Sequence, residues 1–190
     1  MFETEIPERW KPVMDLRSDP LFNLLRGIFI GNFGREIVGY RAGTGTIVFL
    51  LKDYREKRNI PEGAVKIFGM RIRLNKVIVQ KCKEKSIDYA VQELEKIAEF
   101  SKFAYLLVKP NFITRIHVRD GVLPIIFMKY YPWTLRDFIV NGVDETISLS
   151  LIAQVTFTLC RLHPVLEAHQ DLKPENILID RKLLINRDKR

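Results

Sequence analysis

The chain has 190 residues, of which 47% are hydrophobic and 28% charged, and its formal net charge is +8 at pH 7. This length and apolar content suit one ordinary domain or two small lobes and exclude general disorder. There is no run of about eighteen apolar residues, and the stretch Met1–Trp10 carries several charges and has no apolar core, so the sequence predicts neither a membrane-spanning helix nor a signal peptide.

The two cysteines, Cys82 and Cys160, lie far apart and fit no metal-binding spacing. We therefore expect reduced thiols in a cytoplasmic protein. Much of the basic excess lies between Lys52 and Lys85 and after Arg181, which is compatible with an anionic partner or with a solvated surface. Because basic and aromatic residues are not interleaved and no zinc module is present, nucleic acid is not expected as a partner.

Residues 1–27 are predicted to form an N-terminal extension with a short helix at Pro20–Leu25. The stretch Ile28–Val38 places Gly31, Phe33 and Gly34 between two apolar runs, which we interpret as strand, glycine loop, strand. An ordinary hairpin turn is the alternative.

Two further strands follow in the sequence. The glycines of Gly43–Thr46 predict the tip of a hairpin, with the next strand at Thr46–Leu51. In Gly63–Phe68 the apolar residues Val65 and Ile67 alternate with Lys66, which predicts a strand with the lysine on the opposite face. Taken alone, this lysine is a surface cation on an amphipathic strand.

The segment Ser86–Phe100 has helical periodicity, with Glu93 and Glu95 on opposite flanks of its apolar stripe. Two strands are then predicted at Phe112–Val118 and Val122–Met128, joined by a turn at residues 120–121. After Lys129-Tyr130-Tyr131-Pro132, a short helix is predicted at Thr134–Val140 with Thr134 as its cap, and a longer one at Ser148–Leu162.

The run His169-Gln170-Asp171-Leu172-Lys173-Pro174-Glu175-Asn176 comes next, followed by the strand-like Ile177–Ile179. It places an aspartate and an asparagine five positions apart on a loop between a helix and a strand. A polar turn with no catalytic role is the alternative.

This run resembles the catalytic loop of the eukaryotic-type protein kinases, which have the signature H-R-D-L-x-x-x-N. The order Lys-Pro-Glu-Asn at its end is similar to that of the serine/threonine class. Gln170 stands where the family usually has an arginine that pairs with a phosphorylated activation loop, so control by such phosphorylation is not expected.

The resemblance covers Ile28 to about Ile185 and implies a fold class. That class is α+β, a protein-kinase-like two-lobed fold with a five-stranded antiparallel small lobe and one main helix at residues 28–128. Residues 129–190 would form the hinge and a partial, mainly helical large lobe that carries the catalytic loop.

The resemblance also implies an activity, the ATP-dependent transfer of a phosphoryl group from ATP–Mg²⁺ to a serine or threonine hydroxyl of a protein substrate. Asp171 would orient the acceptor hydroxyl and Lys173 would steady the γ-phosphate. Asn176 would bind Mg²⁺, with Asp188 as the candidate second ligand. The remaining expected catalytic residues are the phosphate-binding Lys66 and its partner Glu93, for which Glu95 is the alternative.

Nucleotide-binding residues follow from the same resemblance. Gly31, Phe33 and Gly34 would cover the phosphates, and Val38 would flank the nucleotide. Met128 would be the gatekeeper, and the peptide groups of Lys129, Tyr130 and Tyr131 would bind the adenine edge.

The sequence departs from the family near residue 188. No Phe-Gly follows Asp188, and neither an activation segment nor the later helices appear. We expect a fragment of a longer kinase, a minimal kinase, or a pseudokinase-like scaffold that binds a nucleotide or a partner. The uncovered apolar face of the helix before the catalytic loop predicts a homodimer or another protein partner.

Overall fold

The computed structural model of the protein describes residues 9–43, 45–57, 60–80, 92, 110–119, 121–140, 142, 145–162 and 173–179. The chain divides into two compact units. The first contains residues 1–99 and 108–130, and the second contains residues 100–107 and 131–190.

A six-stranded antiparallel sheet dominates the first unit. Its strands are β1 (Lys11–Pro12), β2 (Arg35–Ala42), β3 (Thr46–Asp53), β4 (Gly63–Phe68), β7 (Pro110–Val118) and β8 (Gly121–Lys129). Their order across the sheet is β1-β2-β3-β4-β8-β7. A separate two-stranded hairpin consists of β5 (Met70–Arg73) and β6 (Lys76–Val79). The strand predictions at 46–51, 63–68, 112–118 and 122–128 are confirmed to within two residues at each end.

Helix α1 (Pro20–Phe33) packs on one face of this sheet. It begins where Asp19 caps the first turn and Pro20 takes the first helical position, a combination that favours a helix start. It ends at Gly34, which adopts a left-handed conformation with φ of 61°. A 3-10 helix, Val13–Leu16, precedes it.

The main core lies between α1 and the sheet. Phe22, Leu25 and Phe29 recur at helical spacing, and all three are fully buried against side chains that alternate along the strands. The strand side of this core includes Ile37, Phe49, Leu51, Val65, Ile67, Ile125 and Phe127.

The second unit contains two helices and a short ladder. The helices are α2 (Leu135–Val140) and α3 (Glu145–Leu162), and the ladder pairs β9 (Trp133–Thr134) with β10 (Leu178–Ile179). A second 3-10 helix, Pro174–Asn176, precedes β10. Within the described residues, no helix is long and apolar enough to cross a membrane.

The predicted fold class is wrong. Antiparallel strands predominate over the described part of the chain, which contains α1, α2 and α3 as its α-helices and lacks the helix-rich large lobe of a kinase-like two-lobed fold. The sheet also has six strands where five were predicted, because Lys11–Pro12 pairs with Gly39 and Tyr40.

The predicted structure of Ile28–Gly34 is also wrong. These residues are the second half of α1 and its cap, so the predicted domain boundary at 27/28 falls inside a helix. The apolar Ile28-Phe29-Ile30 resembles a strand, but Phe29 continues the buried helical stripe of Phe22 and Leu25. Burial of that stripe determines the local structure.

Candidate functional site

Lys66 lies at the centre of the six-stranded sheet. Its neighbours in register are Val48 on β3 and Ile126 on β8. Val65 and Ile67 point into the main core and are fully buried, so Lys66 points to the opposite face, as predicted. The Lys66 ammonium lies 4.7 Å from the centre of the Phe68 ring, which is close enough for a cation–π contact.

The face that carries Lys66 has a small apolar cluster of its own. Phe68 and Ile126 are buried, and Met128 packs against them. Met128 pairs in register with Ala64, two positions before Lys66 on β4. The structure therefore brings Lys66 and Met128, both predicted from sequence, onto one face of two neighbouring strands.

The predicted hinge begins at the end of β8. Met128 and Lys129 are the last two residues of that strand, and Tyr130 follows it. The Tyr130 ring meets Trp10 edge-on, with centroids 6.2 Å apart. Tyr131 belongs to the second unit, so the division between the units falls within the predicted adenine-binding segment.

The predicted glycine loop is not a loop between strands. Gly31 lies inside α1, Phe33 is its last residue, and the Gly34 N–H donates to the Ile30 carbonyl at 3.0 Å. Val38 lies in β2 at an irregularity in its pairing with β3. The prediction that Gly31, Phe33 and Gly34 form a loop over the nucleotide phosphates does not fit this structure. Backbone N–H groups inside a helix are already bonded to the preceding turn.

The glycines between the first two long strands are Gly43 and Gly45. They lie at the tip of the β2–β3 hairpin, where the Gly43 N–H donates to the Thr46 carbonyl at 2.8 Å. Gly45 has φ of 78°, a conformation that favours glycine. The sequence predicted this hairpin tip and assigned it no functional role.

A pocket of about 260 Å³ opens at the end of the sheet, near Ala64 and Met128. Its walls include Phe33, Phe112 and Phe127, and an ion pair between Arg35 and Glu62 lies at its rim; its other lining residues are Leu51, Gly63 and Asn111. Phe127 lies on the α1 side of the sheet, away from the Lys66 face, so we do not assign this pocket to the nucleotide phosphates.

In the second unit, the described part of the predicted catalytic loop forms a compact turn. Lys173 is extended, and Pro174–Asn176 form one 3-10 turn in which the Asn176 N–H donates to the Lys173 carbonyl at 2.9 Å. Proline at the first helical position fixes the backbone there. The sequence-predicted residues Lys173 and Asn176 thus lie at the two ends of one turn.

Two contacts hold this turn against the start of α2. Arg136 forms an ion pair with Glu175, and the Leu135 N–H donates to the Ile177 carbonyl at 2.9 Å. The hydrogen bond from Arg136 is the main cause that lowers the pKa of Glu175 from 4.5, so the carboxylate is charged at neutral pH. Sequence reasoning missed this pair, because 39 positions separate its residues and no local pattern links them.

The start of α2 is itself fixed by a capping arrangement. The Thr134 N–H and hydroxyl donate to the Asp137 carboxylate at 2.6 and 2.8 Å, and the Asp137 N–H reaches the Thr134 hydroxyl at 3.4 Å. This reciprocal pair is a capping box with aspartate in the third position. The prediction of Thr134 as a helix cap is confirmed.

Three predicted site residues, Asp171, Glu93 and Asp188, lie outside the described residues. Within the described ranges, no three His, Cys, Asp or Glu side chains are grouped so that they could hold a metal ion. The Asn176 amide oxygen suits Mg²⁺ but is one ligand of the six that this ion prefers. The Mg²⁺ site therefore stays a prediction.

Comparison of the sequence with protein-family models and with curated proteins gives no match.

Proposed function

We propose that this chain is an ATP-dependent phosphotransferase that passes the γ-phosphoryl group to a serine or threonine hydroxyl of a protein. The single observation that carries the proposal is the run from His169 to Asn176, with its aspartate, lysine and asparagine in the order that phosphoryl transfer uses. The proposal rests on these residues and not on the overall fold.

The turn at Lys173–Asn176, which contacts with the start of α2 hold in place, supports a phosphotransferase function. Transfer of a phosphoryl group requires little covalent work from the protein and depends on positioning and charge stabilisation. A turn held by an ion pair, a backbone hydrogen bond and the β9–β10 ladder keeps the Lys173 backbone and Asn176 at a fixed separation. In the proposed reaction Lys173 steadies the γ-phosphate, Asn176 binds Mg²⁺ and Asp171 accepts the hydroxyl proton.

Lys66 would neutralise the α- and β-phosphates, with Glu93 as its partner. Its place on the central strand supports this role, because neighbours on both sides fix the backbone beneath it. Ala64 and Met128 offer apolar surface on the same face for the base. We propose that Gly43 and Gly45 at the β2–β3 tip, rather than Gly31 and Gly34, approach the phosphates.

The test is transfer of labelled phosphate from ATP–Mg²⁺ to a general acceptor protein by purified wild-type chain and by Asp171→Ala. We expect clear transfer by the wild type and a loss of at least 100-fold in the variant, since the variant has no group to orient the hydroxyl. Equal residual signal in both proteins would remove Asp171 from the mechanism and with it the proposed reaction.

A second candidate is a pseudokinase-like scaffold that binds a protein partner, a second copy of the chain included. The observation in its favour is apolar surface on α3, where Leu149 and Ile152 are each 61% exposed and Phe157 is 52% exposed. This function predicts thermal stabilisation by a partner and none by ATP–Mg²⁺. The opposite pattern favours the phosphotransferase.

A further inference from the structure

The β5–β6 hairpin has one apolar face and one basic face. On the inner face, Met70 and Val77 are buried in the main core, with Ile72 and Val79 packed against it. On the outer face, Arg71 and Arg73 follow each other along β5, and Lys76 pairs with Arg73 across the hairpin. All three cations are exposed.

The cations of this outer face have no acidic neighbours in sequence. No aspartate or glutamate occurs between Glu62 and Glu84. Over the described part of the chain, Arg71, Arg73 and Lys76 form no ion pair. Their charge is therefore exposed to solvent and is not neutralised by an ion pair within the described residues.

The tip of the hairpin is an exposed leucine in a strained conformation. Leu74 and Asn75 have φ of 49° and 58°, the sign pattern of a two-residue type I′ turn. Asparagine suits that conformation, whereas leucine does not. Leu74 is also 88% exposed, so its side chain gains almost nothing from packing inside the protein. A strained residue whose side chain is largely exposed suggests a contact with a binding partner.

Two hydrogen bonds hold the hairpin, one beside its tip and one at its base. The Val77 N–H donates to the buried carboxylate of Asp19 at 3.2 Å, and the Gln80 N–H donates to the Gly69 carbonyl at 2.9 Å. The cations and the leucine tip are therefore presented in a fixed arrangement, which lowers the entropic cost of binding a partner.

We propose that this hairpin binds the phosphate backbone of double-stranded nucleic acid, with Leu74 directed into a groove. Residues two apart on an extended strand are separated by about 6.8 Å, and their side chains lie on one face. Since each strand of a duplex presents a phosphate for about every 3.4 Å of helix axis, Arg71 and Arg73 can contact phosphates of the same strand. An anionic membrane fits less well, because one exposed leucine adds too little apolar burial for stable anchoring.

This inference differs from the sequence expectation, which found no nucleic-acid module. The three cations become a cluster only when the register of the hairpin is known, since Arg73 and Lys76 face each other across a turn that the sequence did not predict.

The experiment is fluorescence anisotropy of a labelled mixed-sequence duplex, in DNA and RNA forms, titrated with the full chain at several salt concentrations. Substitution of Arg71, Arg73 and Lys76 together by alanine should make the slope of log K against log salt less steep by about 2.7, which is three contacts at about 0.9 each. Because all three side chains are exposed, the variant should fold, which circular dichroism checks.

The matched control replaces the exposed cations Arg17, Arg55 and Lys57 by alanine, so that the net charge changes equally. A much smaller change of slope in this control supports the hairpin as the site. An equal change in both variants, or no wild-type binding at low salt, would overturn the proposal. Binding to phosphatidylserine vesicles without binding to either duplex would also overturn it, in favour of a membrane surface.

Discussion

The carboxylate of Asp19 joins the start of α1 to strand β6. One of its oxygens accepts a hydrogen bond from the Phe22 N–H at 2.8 Å, and the other accepts one from the Val77 N–H at 3.2 Å, 58 positions away. Asp19 is only 6% exposed. A single side chain thus satisfies a helix terminus and a strand N–H that would otherwise be buried without a partner.

Replacement of Asp19 by alanine should lower the free energy of unfolding by about 2 kcal/mol, of which the lost helix cap and the unpaired strand N–H each contribute about 1 kcal/mol. Asp19→Asn should cost about half as much, because its one amide oxygen can replace only one of the two acceptors. Urea unfolding followed by circular dichroism measures both values.

The matched control is Asp15→Ala, which removes an exposed carboxylate from the preceding 3-10 helix. It should change stability by less than about 0.5 kcal/mol. If Asp19→Ala were no more harmful than this control, the bridging role of Asp19 would be wrong.

Local patterns were sufficient for much of the fold. The strand containing Lys66 was predictable because Val65 and Ile67 alternate with it, and the start of α2 because Thr134 is a good cap. The end of α1 was not predictable in the same way, since Ile28-Phe29-Ile30 has both strand and helix character. Packing of Phe29 against Phe127, on the face of the sheet that α1 covers, favours the helix, and this contact cannot be inferred from the sequence alone.

The same distinction between local sequence patterns and tertiary contacts applies to the candidate site. The resemblance to the protein kinases suggested Lys66, Met128, Lys173 and Asn176, and the structure places the first two on one face and the last two in one turn. The contacts that brace these residues were not suggested. Lys66 over Phe68, and Arg136 with Glu175, depend on register and on the approach of segments distant in sequence.

Glu36 should make stability depend on pH. Burial alone raises its pKa, but hydrogen bonds and charge from Arg26 and Lys52 outweigh burial and lower the pKa from 4.5. Because the folded-state pKa is depressed, the stabilisation is present above about pH 4.5 and is lost as the pH falls through the lower folded value. At pH 7 the free energy of unfolding of the wild type should exceed that of Glu36→Gln by roughly 1–2 kcal/mol. The side chain of Lys52 is only 8% exposed, and the variant removes the Glu36 carboxylate that pairs with it.

Urea unfolding at pH 7 and at pH 3 measures this difference, with the exposed Glu56→Gln as the control. The gap between wild type and Glu36→Gln should shrink at pH 3, while the control stays near wild type at both values. A stability difference between wild type and Glu36→Gln that is unchanged or larger at pH 3 would contradict a lowered pKa of Glu36 in the folded protein.

Lys66→Met should reduce phosphate transfer by roughly 100-fold, because a fixed cation beside the phosphates stabilises charge that develops in the transition state. Methionine keeps an apolar stem against Phe68, so the sheet should remain folded. Steady-state labelled-phosphate transfer gives the rate, and Lys57→Met, which removes an exposed lysine, controls for the change in net charge. Equal rates for the two variants would exclude Lys66 from the reaction.

Leu74→Asn should stabilise the protein by up to about 1 kcal/mol, because asparagine adopts positive φ at lower cost than leucine. If Leu74 contacts nucleic acid, the same variant should bind a duplex several-fold more weakly. Urea unfolding and anisotropy separate these two effects. Leu74→Ala is the control, since it removes the side chain without relieving the left-handed backbone.

The ion pair between Arg136 and Glu175 should control the rate of transfer more than the affinity for ATP. The pair holds the turn that ends in Asn176, while the β9–β10 ladder remains in place without it, so Arg136→Ala should lower kcat by roughly 3- to 10-fold with little change in the KM for ATP. Since the pKa of Glu175 is lowered from 4.5, the pair is intact from pH 6 to pH 8 and the effect should be the same across that range.

A double-mutant cycle distinguishes positioning from a general loss of charge. Arg136→Ala combined with Glu175→Ala should be no slower than either single variant, because each removes the same contact. Arg119→Ala, an exposed arginine of the first unit, should leave kcat unchanged. Additive losses in the double variant would mean that the two residues act independently, and the turn would then be positioned by the strand ladder and the Leu135–Ile177 hydrogen bond alone.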